Sequence, residues 1–205
     1  MLALWESNIA AALDAPTLQA GLQWDHSDLG RLIARLESQN GLPEEQVMLK
    51  EFENFKRKGT AGREQRARGC AQVDILQGRT EAILPFMEAF TAGGAMAAMT
   101  EQGKTFDSAS VLQMVAALRP QLREAARQGV LLECLYAFRE LDETKFEEWL
   151  VFLRSDAGGR YARGVTTALR DALLARSAIF ASTLVDVMRQ IRDRPQAYLG
   201  GSLAA

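Results

Sequence analysis

Apolar residues recur every three or four positions along almost the whole chain, the period of a helix with one buried face. Nowhere do β-branched and aromatic residues alternate with polar ones over a useful length, so no strand is predicted. Residues 2–13 read as a first helix. Asp14 is placed to cap a second, with Pro16 in its first turn; it carries Leu18, Leu22 and Trp24 and ends near His26. Ser27 or Asp28 caps a third, which buries Leu29, Leu32, Ile33 and Leu36. Gly41 and Pro43 stop it. A further helix starts at Pro43, with Glu44 and Glu45 at the positive end of its dipole, and carries Val47, Met48, Phe52 and Phe55.

Residues 60–92 read as one long helix or a broken pair, with Val73, Leu76, Ile83, Phe86, Met87 and Phe90 as the stripe and a kink at Pro85. The segment 92–99 is small and soft, and reads as a mobile connector or a poorly packed short helix. Asp107 or Ser108 caps a helix through Val111, Leu112, Val115 and Leu118, which Pro120 kinks or breaks. Residues 121–140 are apolar on nearly all sides around Val130, Leu131, Leu132, Leu135, Tyr136 and Phe138, the mark of a central helix. Asp142 caps the next helix, whose stripe is Phe146, Trp149, Leu150 and Leu153, with Leu141 and Phe146 at the spacing of a hydrophobic staple. A last helix runs from near Gly158 to Arg192, with Tyr161, Val165, Leu169, Leu173, Phe180, Leu184, Val187 and Ile191 as its stripe. Arg194 and Pro195 end it, and the tail 196–205 is expected to be loose.

Two of these segments are related. Leu13-Asp14, Leu22, Ser27-Asp28 and Gly30 recur as Leu141-Asp142, Leu150, Ser155-Asp156 and Gly158, at an offset of 128 throughout. Leu18 and Trp24 are replaced by Phe146 and Phe152. Each copy reads as helix, sharp turn, helix: a Ser or Asp oxygen caps the incoming helix, and glycine in its first turn permits close approach. The fold class is therefore all-α, a bundle of eight or nine helices around two related capped αα-hairpins. A single domain over 1–195 is expected, with 1–58 and 60–195 as candidate halves. About 70 helical residues precede the second copy while the first begins almost at Met1, so duplication of a larger unit would imply helices before Met1.

Composition then removes function classes. The chain is 205 residues long, 48% hydrophobic, with a net charge of −2. No basic face speaks for nucleic acid. The densest basic run, 56–68, reads as a solvated helix face and turn or as a phosphate- or anion-binding patch, and has no aromatic residue between Arg57 and Arg68 to stack on a base. The stretch 85–100 is too short and too rich in Ala and Gly for a membrane span, and the residues after Met1 do not form a signal peptide. Cys70 and Cys134 read as two buried thiols, or as one disulfide if the protein is exported.

Little catalytic chemistry is offered. His26 is the only histidine, so it can support neither a triad nor a histidine metal cluster, and it sits at a helix end. Gly93-Gly94 lacks the rest of a phosphate loop. Glu44-Glu45 and Glu147-Glu148 are adjacent pairs that diverge on a helix. No cofactor is implied. Arg176 breaks the apolar stripe of the last helix between Leu173 and Phe180; it reads as an arginine snorkelling at the edge of the packing, as half of a structural ion pair, for which Glu133 is the best candidate, or as a ligand or partner site. Met96 and Met99 are candidates to line an adaptable apolar site.

Residues 141–161 resemble the core of the bacterial domain-of-unknown-function family 2059: a leucine-threonine lead, an acidic helix, a phenylalanine and a Ser-Pro-x-Gly turn. Asp156 stands where that family usually has Pro, and Leu153 where it often has Tyr. The resemblance covers roughly 129–192, with an echo at 13–36. It implies an all-helical, usually exported protein and carries no catalytic residues with it. The expectation is a non-enzymatic periplasmic envelope protein acting through protein contacts, such as a homodimer, or cytoplasmic if Met1 is the native start. Neither nucleic-acid binding nor integral membrane insertion is expected. The alternative is a carrier or sensor for an apolar ligand in an inter-helical cavity, and a hydrolase stands third.

Overall fold

The computed structural model describes residues 2–39, 61–102 and 107–193 and the single positions Val47, Lys50 and Glu53; apart from those three, side chains are described at 7–38, 64–99, 102 and 107–175. Among the described residues the protein is all-α, with nine helices and no strand. They are α1 (Leu2–Ala12), α2 (Ala15–Asp25), α3 (Asp28–Gln39), α4 (Ala61–Gln77), α5 (Arg79–Glu101), α6 (Ser108–Ala117), α7 (Arg119–Ala137), α8 (Glu143–Arg154) and α9 (Asp156–Asp193). Of the helix expected from Pro43 only Val47, Lys50 and Glu53 are described, each helical and exposed; the rest of it, the tail from 196 and the side chain of Arg176 lie outside the described residues.

Helix starts follow the sequence closely because short polar side chains satisfy the free amides there. The Asp14 carboxylate accepts from the Thr17 amide at 2.8 Å. Asp107 accepts from Ala109 and Ser110, and Asp142 from Thr144 and Lys145. These bonds hold all three carboxyls below the usual aspartate range; the largest cause is the Thr17 hydroxyl for Asp14, the Ser110 hydroxyl for Asp107 and the Thr144 amide for Asp142. At the two hairpin turns the cap is the serine: Ser27 Oγ accepts from the Gly30 amide at 2.9 Å and Ser155 Oγ from the Gly158 amide at 3.0 Å. A β-carbon at Gly30 would overlap the Trp24 carbonyl oxygen, and one at Gly158 the Phe152 carbonyl oxygen. Glycine is required at both turns because the new helix starts against the last carbonyls of the old one.

The expected choice between one long helix and a broken pair over 60–92 resolves as a break at Gly78. This residue has φ +73°, the left-handed conformation open to glycine. Across the break, Asp74 accepts from both the amide and the hydroxyl of Thr80, capping α5. Helix α5 then continues past Pro85 and through 92–99. That segment is neither a connector nor poorly packed: Ala92 and Ala97 are buried, and Met96 and Met99 pack against Ala92, Val111 and Val115. The stretch 79–99 is the one helix among the described residues long and apolar enough to cross a membrane by length and composition. Here it packs along α9, its most extensive helix contact.

The central helix is α9, not α7. It meets α1, α2, α4, α5 and α8. The described part of its expected stripe, Tyr161, Val165, Leu169 and Leu173, lies at the margin of the packing, with Leu169 42% exposed, whereas Gly158, Gly159, Ala162, Gly164 and Ala168 are buried; the side chains of Phe180, Leu184, Val187 and Ile191 lie outside the described residues. A helix crowded on several sides buries small residues, because these let neighbouring backbones come close. A β-carbon at Gly164 would strike Leu13, and one at Gly21 of α2 would strike the Tyr161 ring. Helix α7 buries one face, including Val130, Cys134 and Leu135, and leaves most of its first half exposed.

The main core joins α3, α4, α7, α8 and α9 around Phe138, Phe146 and Trp149, whose ring centroids lie 4.8–6.3 Å apart. The expected stripe of α8 is buried in full, and Leu141 joins Phe146 in the same core as a staple would. Cys70 and Cys134 are disulfide-bonded within it, tying α4 to α7. Arg66, 8% exposed, is also in it. Its guanidinium donates to the carbonyls of Phe138 and Leu141, pairs with Glu143 at 2.8 Å and lies over the Phe146 ring. This corrects the solvated-face reading at Arg66, while Arg68 is exposed and the side chains of 56–63 lie outside the described residues: Arg66 holds the end of α7 to the start of α8, a cation beside C-terminal carbonyls.

Gly158→Ala is expected to cost about 1–3 kcal/mol by forcing a β-carbon onto the Phe152 carbonyl, read as a lower urea midpoint. Replacing both Cys70 and Cys134 by serine is expected to cost about 2–4 kcal/mol in the same measurement, because the unfolded chain is then freed from its cross-link.

Candidate functional site

The two related hairpins, α2–α3 and α8–α9, meet at equivalent positions. Trp24 stacks on Phe152 with centroids 4.1 Å apart and planes within 4°. These are the two aromatic residues that the offset of 128 pairs, each at the end of its hairpin's first helix. Beside this stack, α2, α3, α8 and α9, with the α4–α5 junction, enclose a cleft of about 410 Å³. Apolar groups form much of its wall, among them Ile33, Trp149, Leu153 and Val165. Gly30, the glycine of the α2–α3 turn, lines it too.

A few polar groups interrupt the apolar wall. Tyr161 donates its hydroxyl to Asp25 Oδ2 at 2.5 Å. Burial first, then the Asp25 carboxylate, pushes the phenol above the usual tyrosine range, so it stays protonated and donating. Arg79, the first residue of α5, reaches Glu37 of α3 at 3.9 Å and Glu133 of α7 at 3.7 Å. Glu37 is raised above the usual glutamate range, chiefly by desolvation; Arg79 opposes the shift, while Glu133 and Asp25 add to it. With 38% of the Glu37 side chain still exposed, solvent screens part of that effect. Gln77 completes the polar set. Its Oε1 is sealed from solvent without a hydrogen-bond partner.

The sequence-derived candidates are scattered over the molecule. Glu133 belongs to the edge of this cluster through Arg79, and the Arg176 side chain proposed as its partner is outside the described residues. Met96 and Met99 belong to the smaller core between α5, α6 and α7, away from the cleft. Asp25, Glu37, Gln77, Arg79 and Tyr161 were not anticipated as a group, because they come together from five helices or helix ends. Only the Trp24–Phe152 repeat pairing marked the neighbourhood in advance.

Two further hollows lack this combination. A groove of about 480 Å³ between α4 and α8 has Phe146 and Leu150 in its floor, and Arg154 at its rim bonds Glu147 and Gln72. A hollow of about 290 Å³ beside the start of α2 is lined by Arg160 and Arg163; Arg160 pairs with Asp156. Among the described residues no group of three or more His, Cys, Asp or Glu could hold a metal ion. Compared with protein-family models, with curated proteins and with solved structures, the chain matches none.

Because the pKa of Glu37 is raised on folding, its ionisation costs stability as pH climbs through the carboxylate range. Glu37→Gln is expected to gain on the wild type between about pH 4 and about pH 7. Thermal midpoints at the two pH values check this; a variant that loses ground toward neutrality would make the Arg79 pairing the dominant effect.

Proposed function

We propose that this is a non-catalytic binding protein of the bacterial envelope, which carries or senses a small, largely apolar ligand held between the two related hairpins. The observation that carries the reading is the cleft itself. At about 410 Å³ it is of the size that small-molecule sites occupy, about 300–1,000 Å³, and it has the usual makeup of an apolar wall with a few converging polar groups. The envelope assignment rests on the buried Cys70–Cys134 disulfide, a bond favoured in oxidising compartments, and on the resemblance of residues 141–161 to an exported family.

A second reading, action through protein contacts, has its own support. Helix α6 buries Val111 and Val115 and exposes Leu112, Met114 and Leu118. A helix face of this kind suits a flat apolar contact.

Native mass spectrometry of protein purified from its own organism separates the two. The carrier reading expects a small-molecule adduct on the monomer, lost in Thr166→Trp, which fills the cleft from α9, without a change in thermal midpoint. A bare chain found only as a dimer or in a protein complex would sink it in favour of the contact reading.

A further inference from the structure

We infer that the cleft selects a cationic head group: its ligand is an amine or ammonium compound with an apolar body, not an acid or a neutral lipid. The inference rests on the carrier reading above and specifies which chemical class that site takes.

The charged groups lining the cleft are mostly carboxylates. Two carboxylates, Asp25 and Glu37, line it with a single guanidinium, Arg79. Arg79 is already engaged on both sides, by Glu37 at 3.9 Å and, from outside the lining, by Glu133 at 3.7 Å. Counting Glu133, three carboxylates therefore stand in this region against one cation. An anionic ligand approaching Arg79 would face Asp25 and Glu37 in the same lining.

Asp25 retains acceptor capacity. Tyr161 occupies only Oδ2, and Oδ1 has no partner among the described residues. Tyr161 also fixes the carboxylate from one side, since its hydroxyl donates to Asp25 while its ring lies against Gly21, where no β-carbon could fit. Gln77 also lines the cleft, but its Oε1 is sealed from solvent and is not among the groups that a ligand in the cleft reaches. A primary ammonium has three donors and no acceptor. It matches a site in which two carboxylates lie beside one apolar hollow. The apolar wall, with Trp149, Val165 and Leu169, is suited to take the hydrocarbon part.

The test uses three probes of equal chain length: octylamine, octanol and octanoate, titrated calorimetrically into the full chain near neutral pH. Octylamine is expected to bind at least about tenfold more tightly than the other two, a difference of about 1.4 kcal/mol. The double variant Asp25→Asn/Glu37→Gln should erase the preference while retaining the helical circular dichroism of the wild type. Equal affinity for octylamine and octanol would overturn the charge preference and leave the carrier reading standing. Preference for octanoate would overturn it in favour of Arg79 as the recognising group. Binding of none of the three would remove both readings together.

Discussion

Two backbone carbonyls, those of Trp24 and Phe152, govern the arrangement of this protein. Each ends the first helix of a hairpin, and the following helix starts so close that only glycine fits beside it. That proximity turns α2 back into α3 and α8 into α9 within a few residues. It also carries the aromatic side chains of the same two residues into one stack. The cleft lies beside that stack, so its shape follows from the turns. The serine caps complete the turns by occupying the amides that such a sharp reversal exposes.

Around this pair of reversals the rest of the chain is organised by crowding. Helix α9 is met by five neighbours and accommodates them with Gly and Ala at its deepest positions. The bulky aromatic core is displaced to one side, between α4, α7 and α8, where Phe138, Phe146 and Trp149 fill space that small residues could not. Arg66 is tolerated there because its charge meets two carbonyls, a carboxylate and a ring face, leaving only Nε without a hydrogen bond. Burial of such a group is stabilising only through partners this complete.

What could be read in advance was whatever depended on neighbours in sequence. Asp14, Asp107 and Asp142 cap their helices because capping is a three-residue matter, and Phe146, Trp149, Leu150 and Leu153 lie buried because their spacing alone defines a face. The position of Arg66 carried a signal that was passed over. It precedes Cys70 by four residues and Val73 by seven, which puts it on the buried face of α4; its membership of a basic run concealed the register. The stripe of α9 misled for a different reason. Periodicity finds large apolar side chains, whereas a hub helix buries its smallest ones. The cleft was illegible because Asp25, Glu37, Gln77, Arg79 and Tyr161 are spread over more than half the chain, and no local pattern links them.

The Cys70–Cys134 bond has a topological meaning beyond its place in the core. It closes a covalent ring of the residues between the two cysteines, and that ring contains α5, α6 and most of α7. A single backbone cut anywhere inside the ring, including between α5 and α6, would leave the molecule in one piece. The nicked protein would separate into two chains only when a reductant reached a bond whose two residues are almost wholly enclosed. In an environment with peptidases but little reducing power, that closure would keep the two hairpins joined through the same core after a cut between α5 and α6.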